Sequence, residues 1–146
     1  MKILRLNEEV TFGQKGSIKE YAKHGWSLDE DNPSYTWTND LEAGIHFNAQ
    51  ASNANLTLKL IGLPYLGEGK MDCQRAWVHL NGMYCGIFTV SDSFEVSVPL
   101  RGTWMEPRSN LLTLTIPNAK SPKELGIGAD QRRLGLALRS MVMAQA

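Results

Sequence analysis

Several features that would place a protein quickly are missing from this chain. Net charge is one: fifteen lysines and arginines cancel fifteen aspartates and glutamates over 146 residues. With no long-range field, nucleic acid and anionic lipid surfaces are excluded as general partners. Long apolar runs are also absent. The opening stretch from Met1 to Val10 lacks the unbroken hydrophobic segment of an export signal, and nothing later reaches the length of a membrane span. A soluble, cytoplasmic chain with no membrane insertion is therefore expected. Cysteine is scarce, with only Cys73 and Cys85. His24, His46 and His79 are scattered without ligand spacing, which argues against a zinc site. Helical stripes longer than a turn or two are missing, and so are the nucleophile elbow, the P-loop and the dinucleotide fingerprint.

What the chain does have is alternation with period two, almost throughout. It predicts strands over Lys2 to Leu6, Glu9 to Phe12, Leu41 to Asn48, Asn55 to Leu63, Cys73 to Leu80, Met83 to Val90, Phe94 to Leu100, Asn110 to Pro117 and Leu134 to Met143. The inward sets are Ala43, Ile45, Phe47; Leu56, Leu58, Leu60; Phe94, Val96, Val98, Leu100; Leu112, Leu114, Ile116; and Leu134, Leu136, Leu138. Eight or nine short strands imply an all-β fold, a two-sheet β-sandwich of jelly-roll type, as a single domain over residues 1–146. Pro64, Pro99 and Pro117 near strand ends suit sheet edges. Lys15 to Asp40, Pro64 to Asp72 and Asn118 to Arg133 do not alternate and read as long loops.

Asn81-Gly82, between two alternating runs, is the strongest hairpin signal, because a type I′ turn needs positive φ at both central residues. A regular two-residue hairpin sets His79 opposite Tyr84, Val78 opposite Cys85, Trp77 opposite Gly86 and Arg75 opposite Phe88. One face then carries Ala76, Val78, Leu80, Met83, Cys85 and Ile87, and the other Arg75, Trp77, His79, Tyr84 and Phe88. The same register places Cys73 on the opposite face from Cys85, so two free thiols are expected rather than a disulfide. Aromatic faces stack on the C–H faces of sugar rings, and Arg or His bonds hydroxyls beside them. The competing reading is that a long loop covers this face.

A second set of aromatics, Trp26, Tyr35, Trp37, Tyr65 and Trp104, falls in or beside loops. Trp26 and Trp37 read as buried anchors of their loop. Tyr35 and Tyr65 remain candidates for ligand contact. Arg132, with Glu30 and Asp130, forms either an ion pair that clips the first loop to the last or a grip on a polar ligand. Asp29, Asp31 and Asp130 are the candidate donors for a structural calcium; no other cofactor or metal is expected. A hydrolase would need two carboxylates facing each other across a cleft, which the adjacent Asp29-Glu30-Asp31 beside His24 does not supply.

Gly25-Trp26-Ser27-x-x-Glu30, Trp37-Thr38, Asn81-Gly82, Pro122-x-Glu124-Leu125-Gly126 and Asp130-x-Arg132-x-Leu134-Gly135 together resemble a pattern in bacterial β-sandwich domains associated with surface-polysaccharide assembly. Such domains are often appended to glycosyltransferases or phosphoglycerol transferases and resemble carbohydrate-binding modules of galactose-binding-like jelly-roll form. The resemblance spans about Gly25 to Leu138, and no catalytic or membrane portion accompanies it here. It implies a non-catalytic, lectin-like module that takes an oligo- or polysaccharide and works beside a glycosyltransferase or another protein of glycan assembly. The alternative is a structural or protein-interaction domain whose aromatic face is buried against a partner, a second copy of the chain included.

Overall fold

The computed structural model describes residues 1–50 and 53–146. In chain order the strands are β1 (Ile3–Leu4), β2 (Glu9–Thr11), β3 (Ala22–His24), β4 (Thr36–Trp37), β5 (Glu42–Ala49), β6 (Leu56–Pro64), β7 (Gln74–Leu80), β8 (Met83–Val90), β9 (Phe94–Leu100), β10 (Asn110–Thr115) and β11 (Leu136–Gln145). They form two sheets, one ordered β1-β5-β10-β7-β8 with β3 also on β5, the other β2-β11-β6-β9 with β4 also on β11. Pairing is antiparallel except for β1 on β5. Consecutive strands fall in opposite sheets at every step but one. That one is β7 to β8, the Asn81-Gly82 hairpin, where local sequence alone dictates the pairing.

The alternation of apolar residues is what closes the sandwich. Phe47, Leu58, Leu60, Leu80, Leu100, Leu112, Ile116, Leu136 and Leu138 are all fully buried between the sheets, and burial of such side chains is worth roughly 1.5–3 kcal/mol each. The expected inward sets are buried throughout, with Val96 only half so. Pro99 lies in β9, the edge strand of the second sheet, where a missing N–H costs least. Pro64 ends an interior strand instead.

Two elements depart from expectation. The segment from Lys15 to Asp40 contains β3, β4 and a 3-10 turn over Ser17–Glu20. It is pinned by Trp26, whose indole N–H donates to the Gly44 carbonyl at 3.0 Å and whose ring lies 5.5 Å from Phe12. Tyr21 in the same segment is fully buried with its hydroxyl toward Glu8, and burial, followed by the Glu8 charge, pushes its pKa up to about 12.

The second departure is the hairpin register. Asn81 and Gly82 take the expected positive φ of 51° and 81°, and His79 pairs with Tyr84. A bulge at Cys85 then shifts the ladder by one, so that Val78 opposes Gly86, Trp77 opposes Ile87 and Ala76 opposes Phe88. The bulge sets Gly86 opposite Val78 and toward the other sheet, where an added Cβ would stand 3.1 Å from Val98 Cγ1, a tight contact that glycine avoids.

Candidate functional site

The bulge corrects the membership of the hairpin's two faces. Phe88 is not on the aromatic platform; it turns inward and packs 5.7 Å from Phe94. Ile87, expected in the core, takes its place on the outside beside Trp77. Cys85 sits half-buried in the bulge rather than in the core, and Met83 at the hairpin tip is exposed. Both thiols are free.

Arg75, Trp77, His79, Tyr84 and Ile87 therefore share the outer face of the first sheet. That face is open: Trp77 is 39% exposed, Ile87 48% and Tyr84 56%, values that large apolar side chains keep only when nothing in their own chain covers them. The Tyr84 ring meets His79 edge-on at 5.8 Å. The neighbouring strands extend the surface with short polar side chains, since Thr113 lies next to His79 and Thr115 next to Trp77. One strand further, Gly44 and Glu42 continue the same rows. The His24 imidazole lies over Gly44, where a Cβ would clash with the ring at 2.4 Å, and its Nε2 meets Glu42 Oε1 at 2.8 Å. Seen across the sheet, an apolar strip over β7 and β8 is flanked by hydroxyls and an imidazole, with Arg75 at one end. Its chemistry is complementary to a molecule with one apolar face and a hydroxylated rim.

The hairpin is held rigidly under this face. Asn81 Nδ2 donates to the Trp104 carbonyl at 2.8 Å and to Asn110 Oδ1 at 2.9 Å, while Asn81 Oδ1 accepts from the Leu111 N–H at 2.8 Å. Asn110 is itself buried and donates to the carbonyls of Phe47 and Glu106. The turn residue is thus also a tie between the hairpin tip, β10 and the loop around Trp104.

The rim candidates lie elsewhere. Tyr35, Trp37 and Tyr65 form a half-buried edge-to-face series with ring separations of 5.8 and 5.9 Å. Burial, then the charges of Glu68 and Asp130, pushes the Tyr65 hydroxyl up. Arg132 joins the loops: Nε and Nη2 engage Asp130, and Nη1 reaches Ser27 Oγ and Glu30. Four of its five N–H groups are thereby used within the chain. These bonds hold the Asp130 carboxyl below its ordinary range and keep the guanidinium protonated. Among the described residues no three His, Cys, Asp or Glu side chains gather as a metal site. The calcium donors expected from the sequence are not assembled, because Asp130 is committed to Arg132.

These features define an all-β, two-sheet sandwich with one open aromatic sheet face, and the sandwich fold is shared with carbohydrate-binding modules. The likeness is to several solved structures. The CBM36-1 domain of a multidomain xylanase from the hindgut metagenome of Trinervitermes trinervoides aligns over 95% of this chain and 97% of its own, with a TM-score of 0.51 and 9% identity. CsCBM6-3 from Clostridium stercorarium, solved with cellobiose, aligns over 99% and 98%, with a TM-score of 0.53 and 7% identity. The 4-O-methyl-α-glucuronidase BtGH115A, specific for decorated arabinogalactans, matches over 97% of this chain but only 18% of its own length, with a TM-score of 0.55 and 11% identity. At such identities the likeness is one of fold. No protein-family model matches the sequence, and no curated protein matches it.

Proposed function

We propose that the chain is a non-catalytic carbohydrate-binding module that stacks a saccharide on Trp77 and Tyr84 of the open sheet face. The observation that carries this reading is the exposure of Trp77, Tyr84 and Ile87 together on one hairpin, with His79, Arg75, Thr113 and Thr115 around them. A sugar ring offers the matching chemistry: an apolar C–H face for the rings and an equatorial belt of hydroxyls for the polar side chains. The shared fold with modules such as CsCBM6-3, crystallised with cellobiose, supports it. The resemblance of the loop motifs supports a place beside a glycosyltransferase or another protein of glycan assembly, and the two free thiols fit a reducing cytoplasm.

The placement of the carboxylates supports binding without reaction. Glycoside hydrolysis needs a proton donor of raised pKa and a second carboxylate roughly 5–9.5 Å away. On the sheet face Glu42 is engaged by His24. In the loop cleft Glu30 and Asp130 both bond Arg132, which holds Asp130 ionised rather than ready to donate. Arg132 is accordingly assigned as a clip between loops and Tyr35, Trp37 and Tyr65 as their packing.

The protein-interaction reading has one observation in its favour. β8 is an edge strand of eight residues with no charge and no proline, the kind of edge that pairs with another strand. Affinity electrophoresis in gels cast with soluble polysaccharides, combined with size-exclusion light scattering, separates the two. Retardation of wild type and not of Trp77→Ala supports the saccharide. A dimer dissociated by Trp77→Ala, with no retardation in any gel, refutes it in favour of assembly.

A further inference from the structure

The open sheet face does not stop at β8. Tyr84 belongs to two surfaces: it stands beside His79 on the platform, and it lines a cleft of about 750 Å³ between the ends of β8 and β9, together with Arg101, Thr103 and Trp104. Trp104 is tied to the platform's own hairpin through the Asn81 bond to its carbonyl. The Arg101 guanidinium lies 5.3 Å over the Trp104 ring. Stacking of this kind fixes the plane of the guanidinium and leaves its edge N–H groups free for a planar, bidentate acceptor.

Charge is distributed unevenly along this path. Arg75 at the platform and Arg101 in the cleft are exposed, and neither has an acidic partner among the described residues. No aspartate or glutamate lines the cleft, and none stands in the strip formed by Arg75, Trp77, His79, Tyr84 and Ile87. A chain whose charges cancel overall thus presents two guanidinium groups without acidic partners at the two ends of an exposed aromatic track. The track is also longer than one sugar ring. Trp77 lies two residues along β7 from His79, the partner of Tyr84, a step of roughly 7 Å along the strand, and the cleft lies beyond Tyr84.

We infer that the ligand is an acidic saccharide chain, bearing carboxylate or sulfate groups, that runs from Trp77 past Tyr84 into the Arg101–Trp104 cleft. The inference rests on the proposed saccharide-binding function and adds to it the charge and length of the saccharide. Arg75 and Arg101 bond the anionic groups, while Trp77, Tyr84 and Trp104 carry the rings between them.

The test is calorimetric titration of the full chain with dimers and hexamers of four probes: neutral cello- and xylo-oligosaccharides, oligogalacturonides for the carboxylate, and carrageenan oligosaccharides for the sulfate. One acidic hexamer is expected to bind at least about tenfold more tightly than the neutral hexamers and than its own dimer, and more weakly at high salt. Arg101→Gln, checked for a retained cooperative melt because the substitution also removes the stacking on Trp104, is expected to abolish the gain from dimer to hexamer, and Arg75→Gln to weaken both lengths. Neutral and acidic hexamers binding alike, or a length gain that survives Arg101→Gln, overturns the inference and leaves sugar binding standing. Failure of every probe to bind the folded protein overturns both.

Discussion

Asn81 can be separated into its two duties by substitution. Asn81→Ala removes three side-chain hydrogen bonds, to the Trp104 carbonyl, Asn110 Oδ1 and the Leu111 N–H, and leaves a residue with a Cβ at φ 51°. At about 1 kcal/mol net per bond the first loss is about 3 kcal/mol. Left-handed backbone at a residue other than glycine or asparagine adds about 1 kcal/mol. A total near 4 kcal/mol is expected for Asn81→Ala. Asn81→Gly loses the same bonds but relieves the backbone, so about 3 kcal/mol is expected. Urea unfolding followed by tryptophan fluorescence measures both, with an unchanged m-value as the sign that the denatured state is unaltered. The ordering matters as much as the size. If glycine is worse than alanine, the backbone part of the reasoning is wrong. If both lie within about 0.5 kcal/mol of wild type, the side-chain bonds carry no net stability.

Two further outcomes follow from the same geometry. Gly86→Val forces a branched side chain toward Val98 Cγ1, which already lies 3.1 Å from an added Cβ; a loss of about 1–3 kcal/mol in the urea assay is expected, and a neutral result would show that the sheets are free to part. The Asp130 carboxyl is held low chiefly by the Arg132 side chain, so its stabilising effect is complete above the ordinary carboxylate pKa and is lost as pH falls through the depressed value. Arg132→Ala should therefore lower the melting temperature most near neutrality, with the gap to wild type closing below about pH 4; a gap independent of pH would remove Asp130 from the clip.

Much of the scaffold was legible because burial and alternation are the same fact in a sandwich. Rows such as Leu56, Leu58, Leu60 can only be read one way once one face must be dry. The short strands β3 and β4 escaped because two or three residues show no period; they exist through tertiary pairing, Trp37 with Ala137 and Ala22 with Ile45. The bulge escaped for a related reason. It brings Gly86 against Val98, in the other sheet, and only the glycine at position 86 hinted at it. Phe88 and Ile87 exchanged faces as a result.

The loop motifs turned out to be readable in mechanical terms. Gly25 holds φ 82° with a neighbouring carbonyl where a Cβ would lie. Thr38 Oγ1 accepts the Leu136 N–H. Ser121 and Glu124 bond each other's backbone N–H as a capping box. These residues build loops, which is why their pattern speaks to fold. Trp77, Tyr84 and Ile87 hold up nothing of the kind. Arg101 was invisible in the sequence, as an isolated arginine after a strand carries no signal until Trp104 is seen beneath it.

The most direct test of the central claim uses the four tryptophans as reporters. Each indole N–H gives a resolved nitrogen–proton signal, assignable by Trp→Phe substitution at positions 26, 37, 77 and 104. During titration with a saccharide that binds, the Trp77 signal should shift and saturate with the calorimetric affinity, while those of Trp26, bonded to Gly44, and Trp37, enclosed by Tyr35 and Tyr65, stay in place. A shift at Trp37 with Trp77 unmoved would put the saccharide on the loop rim and contradict the account.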